Sequence, residues 1–485
     1  MTDPTRRRLL KAAALAPLAI LCGARVRAGG SAAAVEATFT PDPEHPGRVV
    51  DAGLASLSYE TSELVNPAFF SARNTSLVKL FRELNPHGIL RIGGNTSDWT
   101  TWSGYHGKLP VERHTRYGTP TKMFVLHPEA LHELAGFLEA TGWRLVFGVN
   151  LRIEVPAMGL ALAKAVRRIV GKHLLAIQIG NEANNYEPDY RAFDADWKTY
   201  AEVIGPTGIP LAGPDTGANT DWVEAYAREH GAANVFLSRH YYRGPAGKGS
   251  IGDMLSGDPA FYDEAAAIVR AGDAVNLPFR LTEANSYYFG GQDGVSNVFA
   301  SALWGADYML ALAARGVAGV HFHGGTLESV EASLGREATA AKDGDLTARR
   351  NAVSSRYSAI AGDVELGFQP RPLYHGMRVA QRFAGMRMLP GKLVTGGVNA
   401  TAYAACQGRD MQVALINKDA ARDVVVDVCR VPPSAKGELE RLHAPSLNSR
   451  RDVALVPAGT ATSDAGGRAR LVVPRGSAVL ARWRG

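Results

Sequence analysis

A run of apolar residues that stops on a carboxylate constrains this chain more than any other feature. Residues 174–182 read L-L-A-I-Q-I-G-N-E. An apolar run ended by Gly180 predicts a parallel strand buried on both faces, so Asn181 and Glu182 fall just past its C-terminal end. Residues 278–285, P-F-R-L-T-E-A-N, repeat the build and bring Glu283 to a second strand tip. Strand segments recur at 49–60, 88–95, 143–150, 211–215, 234–242 and 317–325, with helical patterns at 77–84, 128–141, 155–171, 197–204, 260–271 and 296–315. Strands alternating with helices predict a parallel sheet. Eight of them over about 275 residues predict a closed (β/α)8 TIM barrel in an α/β chain. The rival, an open doubly wound sheet, lacks its signals: no G-x-G-x-x-G follows the first strand, and no P-loop occurs. Glu182 ends the fourth strand and Glu283 the seventh. In a barrel those tips face each other across the mouth, where barrel enzymes keep their chemistry.

The remaining chain divides by texture. Residues 326–371 are long for a βα connection and are expected to fold over the mouth as a lid or wall. A closing helix is expected at 372–383. From 392 the pattern changes to short alternating strands at 401–405, 411–416, 424–428, 437–441, 470–473 and 477–482, which predict a β-sandwich. The expected domains are a barrel over 48–385 and a sandwich over 386–485, with 29–47 a proline-punctuated lead-in. Of 485 residues, 46% are hydrophobic, enough for a sizeable core.

Residues 1–28 are set apart. T-R-R-R-L-L-K at 5–11 is close to the twin-arginine export pattern. An apolar stretch at 12–22 follows, and Val26-Arg27-Ala28 offers a cleavage site. That stretch is too short to span a bilayer, and Leu21 before Cys22 argues against lipidation. The reading is an exported, periplasmic or secreted protein with no membrane anchor after signal removal. The segment holds six Arg or Lys against one Asp, so the chain's formal +6 falls to about +1 beyond it. No basic run elsewhere supports nucleic-acid binding. Beyond the leader, Cys406 and Cys429 can be one disulfide or two free thiols.

Two glutamates on opposed tips can perform glycosidic chemistry when roughly 5 Å separates their carboxyls, one as nucleophile and one as acid/base. Glu182 must then hold a proton at working pH while Glu283 stays ionised. The Asn181 amide can hydrogen-bond a sugar hydroxyl. Along 234–242 side chains alternate, so one of Tyr241 and Tyr242 faces the pocket beside the nucleophile. His321 and His323 alternate on the eighth strand and form an H-x-H pair. A zinc site would need Glu182 or Asp215 as a further ligand; no third ligand stands at a telling spacing, so no metal is expected. Trp99 and Trp102 can stack on a sugar or pack in the core.

I-G-N-E at 179–182 and L-T-E-A-N at 281–285 resemble the retaining glycosidases of clan A. More narrowly, R-I-G-G-N-T-S-D (91–98), S-R-H-Y-Y (238–242) and E-A-N-S-Y-Y-F-G-G (283–291) resemble glycoside hydrolase family 79, which contains β-glucuronidases and heparanases. The resemblance covers about 49–374, and the tail is similar to the family's β-sandwich, into which N-terminal residues also pack. It implies Glu182 as proton donor and Glu283 as nucleophile. It implies sugar-hydroxyl contacts for Glu60, Asn95, Asp98 and Asn181, and pocket positions for His240 and one of Tyr241 and Tyr242. It also implies a uronate carboxylate held by backbone N–H groups at Gly290 and Gly291 with a tyrosine hydroxyl, from Tyr288 or Tyr374. Glycine fits physically because backbone without Cβ can approach an anion closely. Phe289 departs from the pattern, standing where related sequences can carry another glycine. The implied activity is a retaining β-glucuronidase acting on a glucuronic-acid-bearing carbohydrate without a cofactor. The alternatives are an endo-acting heparanase-like enzyme, a clan relative acting on neutral sugars, and a non-catalytic carbohydrate-binding protein.

Overall fold

A computed structural model describes residues 34–109 and 123–484. The arginine-rich start read as an export signal lies outside the described residues. Among the described residues, no helix is long and apolar enough to cross a membrane. Eight parallel strands close a barrel: β1 (Ala55–Glu60), β2 (Ile89–Gly93), β3 (Arg144–Val149), β4 (Leu174–Ile179), β5 (Leu211–Thr216), β6 (Asn234–Pro245), β7 (Phe279–Tyr288) and β8 (Gly319–Gly324). Several strands differ in length from expectation. β1 begins six residues late because Asp51 accepts the Gly53 N–H at 2.7 Å in a tight turn, and Val49 instead bridges to Arg387. β7 runs on to Tyr288, still paired with β6, which itself continues past expectation to Pro245.

Side chains inside the barrel follow the two-residue period of a strand, and they form unlike layers. At the bottom, Ile89, Val146, Ala176, Ala212 and Phe236 make a small apolar plug. Two residues further along β2 and β4 stand Arg91 and Gln178, joined by Asp215, His240 and His321, all 1% exposed or less. Burying charge at that depth is tolerable only with partners, and it fixes the floor of the site.

Outside, helices pack apolar faces on the strands. The helix Thr220–His230 was not anticipated from the pattern. Its Trp222, Val223, Tyr226 and Ala227 are buried one turn apart in the two-adjacent-residue rhythm of a helix stripe. The helix Tyr190–Ile204 starts earlier than expected because Asp189 caps it, accepting the Ala192 N–H at 3.0 Å. The helix Ala300–Ala314 is buried on every side through Ala313. It lies between the barrel and the C-terminal domain, against the helix Pro372–Gln381. A Cβ on Gly376 would sit 2.1 Å from the Ala302 carbonyl oxygen, so only glycine allows that crossing.

The C-terminal domain has two sheets. One orders strands Gly391–Val394, Val35–Pro41, Val424–Val428 and Ala469–Val473. The other orders Arg387–Leu389, Ala400–Gln407, Asp410–Asn417, Ser477–Trp483, Lys436–His443 and Ala454–Thr462. The lead-in thus supplies an interior strand of the first sheet, parallel to Val424–Val428. Phe39, Leu415, Val426, Leu471 and Trp483 share the core between the sheets. The strand Ala454–Thr462 escaped the sequence pattern because Pro457 and Gly459 interrupt it; it sits at the sheet edge, where a missing donor costs least. Asp307 ties the domains together, accepting Thr401 Oγ1 at 2.7 Å, Tyr403 Oη at 2.6 Å and Lys418 Nζ at 2.5 Å. Cys406 and Cys429 are free thiols.

The long connection after β8 holds helices Leu327–Ser333 and Leu346–Ala352 and the hairpin Ile360–Asp363/Gly367–Pro370. Glu63, after β1, accepts the Thr326 N–H at 2.6 Å and Oγ1 at 3.0 Å, which pins the first of these helices beside the barrel mouth.

Candidate active site

The mouth of the barrel opens on a cavity of about 310 Å³ lined by Glu60, Asn95, Glu182, Tyr242, Glu283 and His323 below, and by Tyr288, Phe289, Gly290, Val330, Leu334 and Tyr357 higher up. Glu182 follows β4, where Gly180 (φ +85°) turns the chain. Glu182 itself has φ +45°, a conformation that costs an ordinary residue of order 1–3 kcal/mol and persists only where neighbours hold it. Its N–H donates to the Asp215 carbonyl at 2.9 Å, its Oε2 accepts Asn185 Nδ2 at 2.7 Å, and its Oε1 meets His240 Nδ1 at 2.9 Å.

Glu283 is aimed by a break in the sheet. Leu281 pairs with Arg239 and Glu283 with His240, so Thr282 is an extra residue in β7 relative to β6. Such bulges re-aim side chains beside active sites. Here Oε1 accepts Tyr242 Oη at 2.8 Å and Oε2 accepts Arg91 Nη1 at 2.6 Å, with His323 Nδ1 at 3.7 Å and His240 Nδ1 at 3.9 Å. Burial pushes this carboxyl up; the charges of His323, His240 and Arg91 and the Tyr242 hydrogen bond more than offset it, holding it at about 2. A carboxylate oxygen of Glu182, a ring nitrogen of His240 and a carboxylate oxygen of Glu283 all lie within 4.8 Å of one another.

His240 is 1% exposed and belongs to the floor. Its Nε2 lies 3.1 Å from Asp215 Oδ1, close for charge though bent from hydrogen-bond alignment. Burial disfavours the charged ring, but Asp215, Glu283 and the contact with Glu182 overcome this and raise it to about 10. A cationic ring beside the Arg91 guanidinium makes the Glu182–His240–Glu283 cluster an ion-pair network ill suited to a metal ion.

The other expected residues divide into wall, floor and elsewhere. Glu60 lines the cavity, with Oε2 accepting Thr96 N–H at 2.9 Å and Thr96 Oγ1 at 2.6 Å; a Cβ on Gly94 (φ +71°) would strike it. Asn95 lines the cavity and accepts Asn181 Nδ2 at 3.0 Å. Asn181, whose Oδ1 accepts Arg91 Nη2 at 2.6 Å, therefore stands behind Asn95. Asp98 also stands behind the wall, buried, its carboxyl pushed up by burial against the pull of Arg152 and Arg91. Tyr288 and Gly290 are on the wall, while Gly291 packs behind it against Tyr357. Phe289, Gly290 and Gly291 have φ of +67°, +79° and +85°, a run of left-handed backbone.

Besides Asn181, Asp98 and Gly291, expected as ligand contacts but standing behind the wall, two further expectations are corrected. Tyr241 points outward from β6, stacks on Phe261 at 3.9 Å and donates to Asp258 at 2.7 Å; the alternation of the strand gives the pocket to Tyr242. Tyr374 is 1% exposed on a helix outside the barrel and donates to the Leu80 carbonyl at 2.8 Å, so its hydroxyl is no pocket ligand. Trp99 and Trp102 are core residues, Trp99 lying under the Arg152 guanidinium at 4.7 Å.

Sequence reasoning gave Arg91 and Tyr357 no role and weighed Asp215 and His323 only as metal ligands. A signal for the first was present: an arginine inside I-L-R-I, on a strand buried on both faces, must meet a buried anion. Tyr357 comes from the long connection, and nothing local marks it.

No protein-family profile matches the chain. A stretch of 58 residues, 12% of this chain and 10% of the relative, is 47% identical to a β-glucuronidase of Neurospora crassa. A longer alignment of 279 residues, 49% of this chain and 51% of the relative, is 23% identical to a β-glucuronidase of Aspergillus niger. The chain thus spans about half the length or less of these curated relatives. Among solved structures, a 4-O-α-L-rhamnosyl-β-D-glucuronidase from Fusarium oxysporum 12S superposes with TM-score 0.67 at 16% identity, over 92% of this chain and 100% of that one. A GH51 arabinofuranosidase from Xanthomonas axonopodis pv. citri gives 0.64 at 17% identity, over 93% and 100%. At such identities the likeness is one of fold alone: a (β/α)8 barrel carrying a C-terminal β-sandwich.

Proposed function

We propose that this protein is a retaining β-glucuronidase of family 79 type, acting at chain ends. The observation that carries the proposal is the placement of Glu182 and Glu283, with carboxylate oxygens within 4.8 Å across one cavity. Retaining glycosidases hold their carboxyls about 5–5.5 Å apart, while inverting ones leave about 6.5–9.5 Å for a water. Glu283 attacks the anomeric carbon as Glu182 gives its proton to the leaving oxygen, forming a glycosyl ester on Glu283. Glu182 then takes a proton from water, which attacks the same carbon, frees glucuronate and restores the Glu283 carboxylate.

The Arg91, His240 and His323 charges keep Glu283 ionised for the first step. Glu60 and Asn95 supply hydrogen-bonding groups for sugar hydroxyls on the wall. The uronate reading rests on the Tyr288 hydroxyl and the left-handed run at Phe289, Gly290 and Gly291, where backbone can approach an anion. The names of the two fungal relatives favour the same substrate class. Val330, Ser333 and Leu334 wall one side of the cavity, which favours a terminal residue over the interior of a polymer. The arginine-rich start supports the reading of an exported enzyme.

The test is hydrolysis of a chromogenic aryl β-glucuronide beside the matching β-glucoside. Preference for the glucuronide, lost in Glu283→Gln, is the expected result. Preference for the glucoside would sink the uronate assignment. Ligand binding without turnover on either would leave a carbohydrate-binding protein.

A further inference from the structure

The buried anion at the end of β5 has no place in the two steps above, yet it touches the main chain of Glu182 and both Arg91 and His240, the cations beside Glu283. Asp215 is 1% exposed and has φ +59°, a strained conformation for a non-glycine residue. Its carbonyl accepts the Glu182 N–H at 2.9 Å. Its carboxylate accepts Arg91 Nη2 at 2.6 Å, Gln178 Nε2 at 2.6 Å and Thr282 Oγ1 at 2.5 Å, and Oδ1 lies 3.1 Å from His240 Nε2. It does not line the cavity, so no substrate contact explains it.

We infer that Asp215 is the positioning residue of this site, holding His240 as an imidazolium between Glu182 and Glu283 while its main chain fixes the acid/base residue. The inference rests on the glycosidase reading but not on the identity of the sugar. Its ground is the donor count on one ring. Nδ1 faces a Glu182 oxygen and Nε2 an Asp215 oxygen. The Asp215 carboxylate only accepts, so the Nε2 facing it carries a proton, and the ionised Glu283, with Oε2 at 3.9 Å from Nδ1, favours a second proton there. With Nδ1–H on Oε1, the acid proton of Glu182 belongs on Oε2, the oxygen also held by Asn185.

The charged and titratable groups around the ring come from every neighbouring strand. They are Arg91 on β2, Glu182 after β4, Asp215 on β5, Tyr242 on β6, Glu283 on β7, and His321 and His323 on β8. Arg91 already balances part of the Glu283 and Asp215 charge. The second cation at Glu283 that depends on Asp215 is His240. Without the aspartate, burial opposes the ring's charge with the largest of its anionic neighbours gone. Asp215 therefore acts on Glu283 through His240 and on Glu182 through the main chain.

The experiment compares wild type with Asp215→Asn, which keeps the size and removes the charge. kcat/KM is measured against pH on whichever aryl glycoside the wild type hydrolyses, so a wrong sugar assignment does not decide the outcome. The expected result is an acid limb displaced upward by about one pH unit or more, a kcat loss of about tenfold or more, and little change in KM. A profile merely scaled down, with its acid limb unmoved, would overturn the inference.

A second readout needs no turnover. In ¹⁵N-histidine spectra of the wild type, with the signal assigned by its absence in His240→Gln, His240 should carry protons on both nitrogens from pH 6 to about 9. A singly protonated ring at neutral pH overturns the inference by itself.

Discussion

Tyr242→Phe removes the hydroxyl that donates to the nucleophile, together with that hydroxyl's contact with Tyr357. The group lost donates to Glu283 Oε1 at 2.8 Å. A hydrogen bond to a charged group contributes about 1.5–3 kcal/mol, which at 1.36 kcal/mol per pKa unit is about one to two units of carboxyl acidity. Glu283 sits at about 2 against an ordinary 4.5, with burial raising it and His323, His240, Arg91 and Tyr242 together lowering it further. In the variant it should titrate about one to two units higher. The sign follows from the active form being ionised. A depressed carboxyl stabilises the fold above its unfolded value and loses that contribution as pH falls through the folded value. The variant should therefore lose both activity and stability at a higher pH than wild type on acidification. Near pH 7 Glu283 is ionised in both, so any deficit there reports orientation of the nucleophile rather than its charge. The assay is kcat/KM on an aryl glycoside from about pH 3 to 8, with thermal melts across the same range. An acid limb that stays in place, or moves down, would refute the electrostatic account of this site.

Glu182→Gln should slow substrates with poor leaving groups by about 10²–10⁴-fold while sparing activated aryl glycosides, because only the former need the proton; equal losses on both would argue against an acid role. Tyr374→Phe should leave kinetics unchanged and cost about 1 kcal/mol in denaturant melts, since its hydroxyl serves the Leu80 carbonyl; a raised KM would restore it to the pocket. Gly291→Ala should raise KM and destabilise by about 1–3 kcal/mol, because the residue has φ +85° and the new Cβ would lie 2.6 Å from the Tyr357 main-chain nitrogen. Asp307→Ala should cost about 3–5 kcal/mol by stranding the buried Lys418, whereas Asp307→Leu combined with Lys418→Met should recover most of it; no recovery would mean that the Thr401 and Tyr403 hydrogen bonds, not the charges, join the domains.

What the amino-acid sequence determines is the alternation of buried strands and helices, and with it the barrel. An apolar run such as L-L-A-I-Q-I has no stable place except a strand covered on both faces, and eight of them order Glu182 and Glu283 onto the fourth and seventh strands. Two-residue alternation also limits the pocket to one of Tyr241 and Tyr242, but it cannot say which, because the inward phase depends on pairing with neighbours. Tertiary structure decided that phase, and the extra residue at Thr282 shows why: a bulge resets the alternation midway along β7 and is specified by the strands beside it. Tyr374 misled because a helix start near the mouth in sequence lies outside the barrel in space. The charge state of the site was equally hidden. Arg91, Asp215, His240 and Glu283 come from four strands, and each holds its proton or charge only because the closed barrel removes water and puts the others within ion-pair reach.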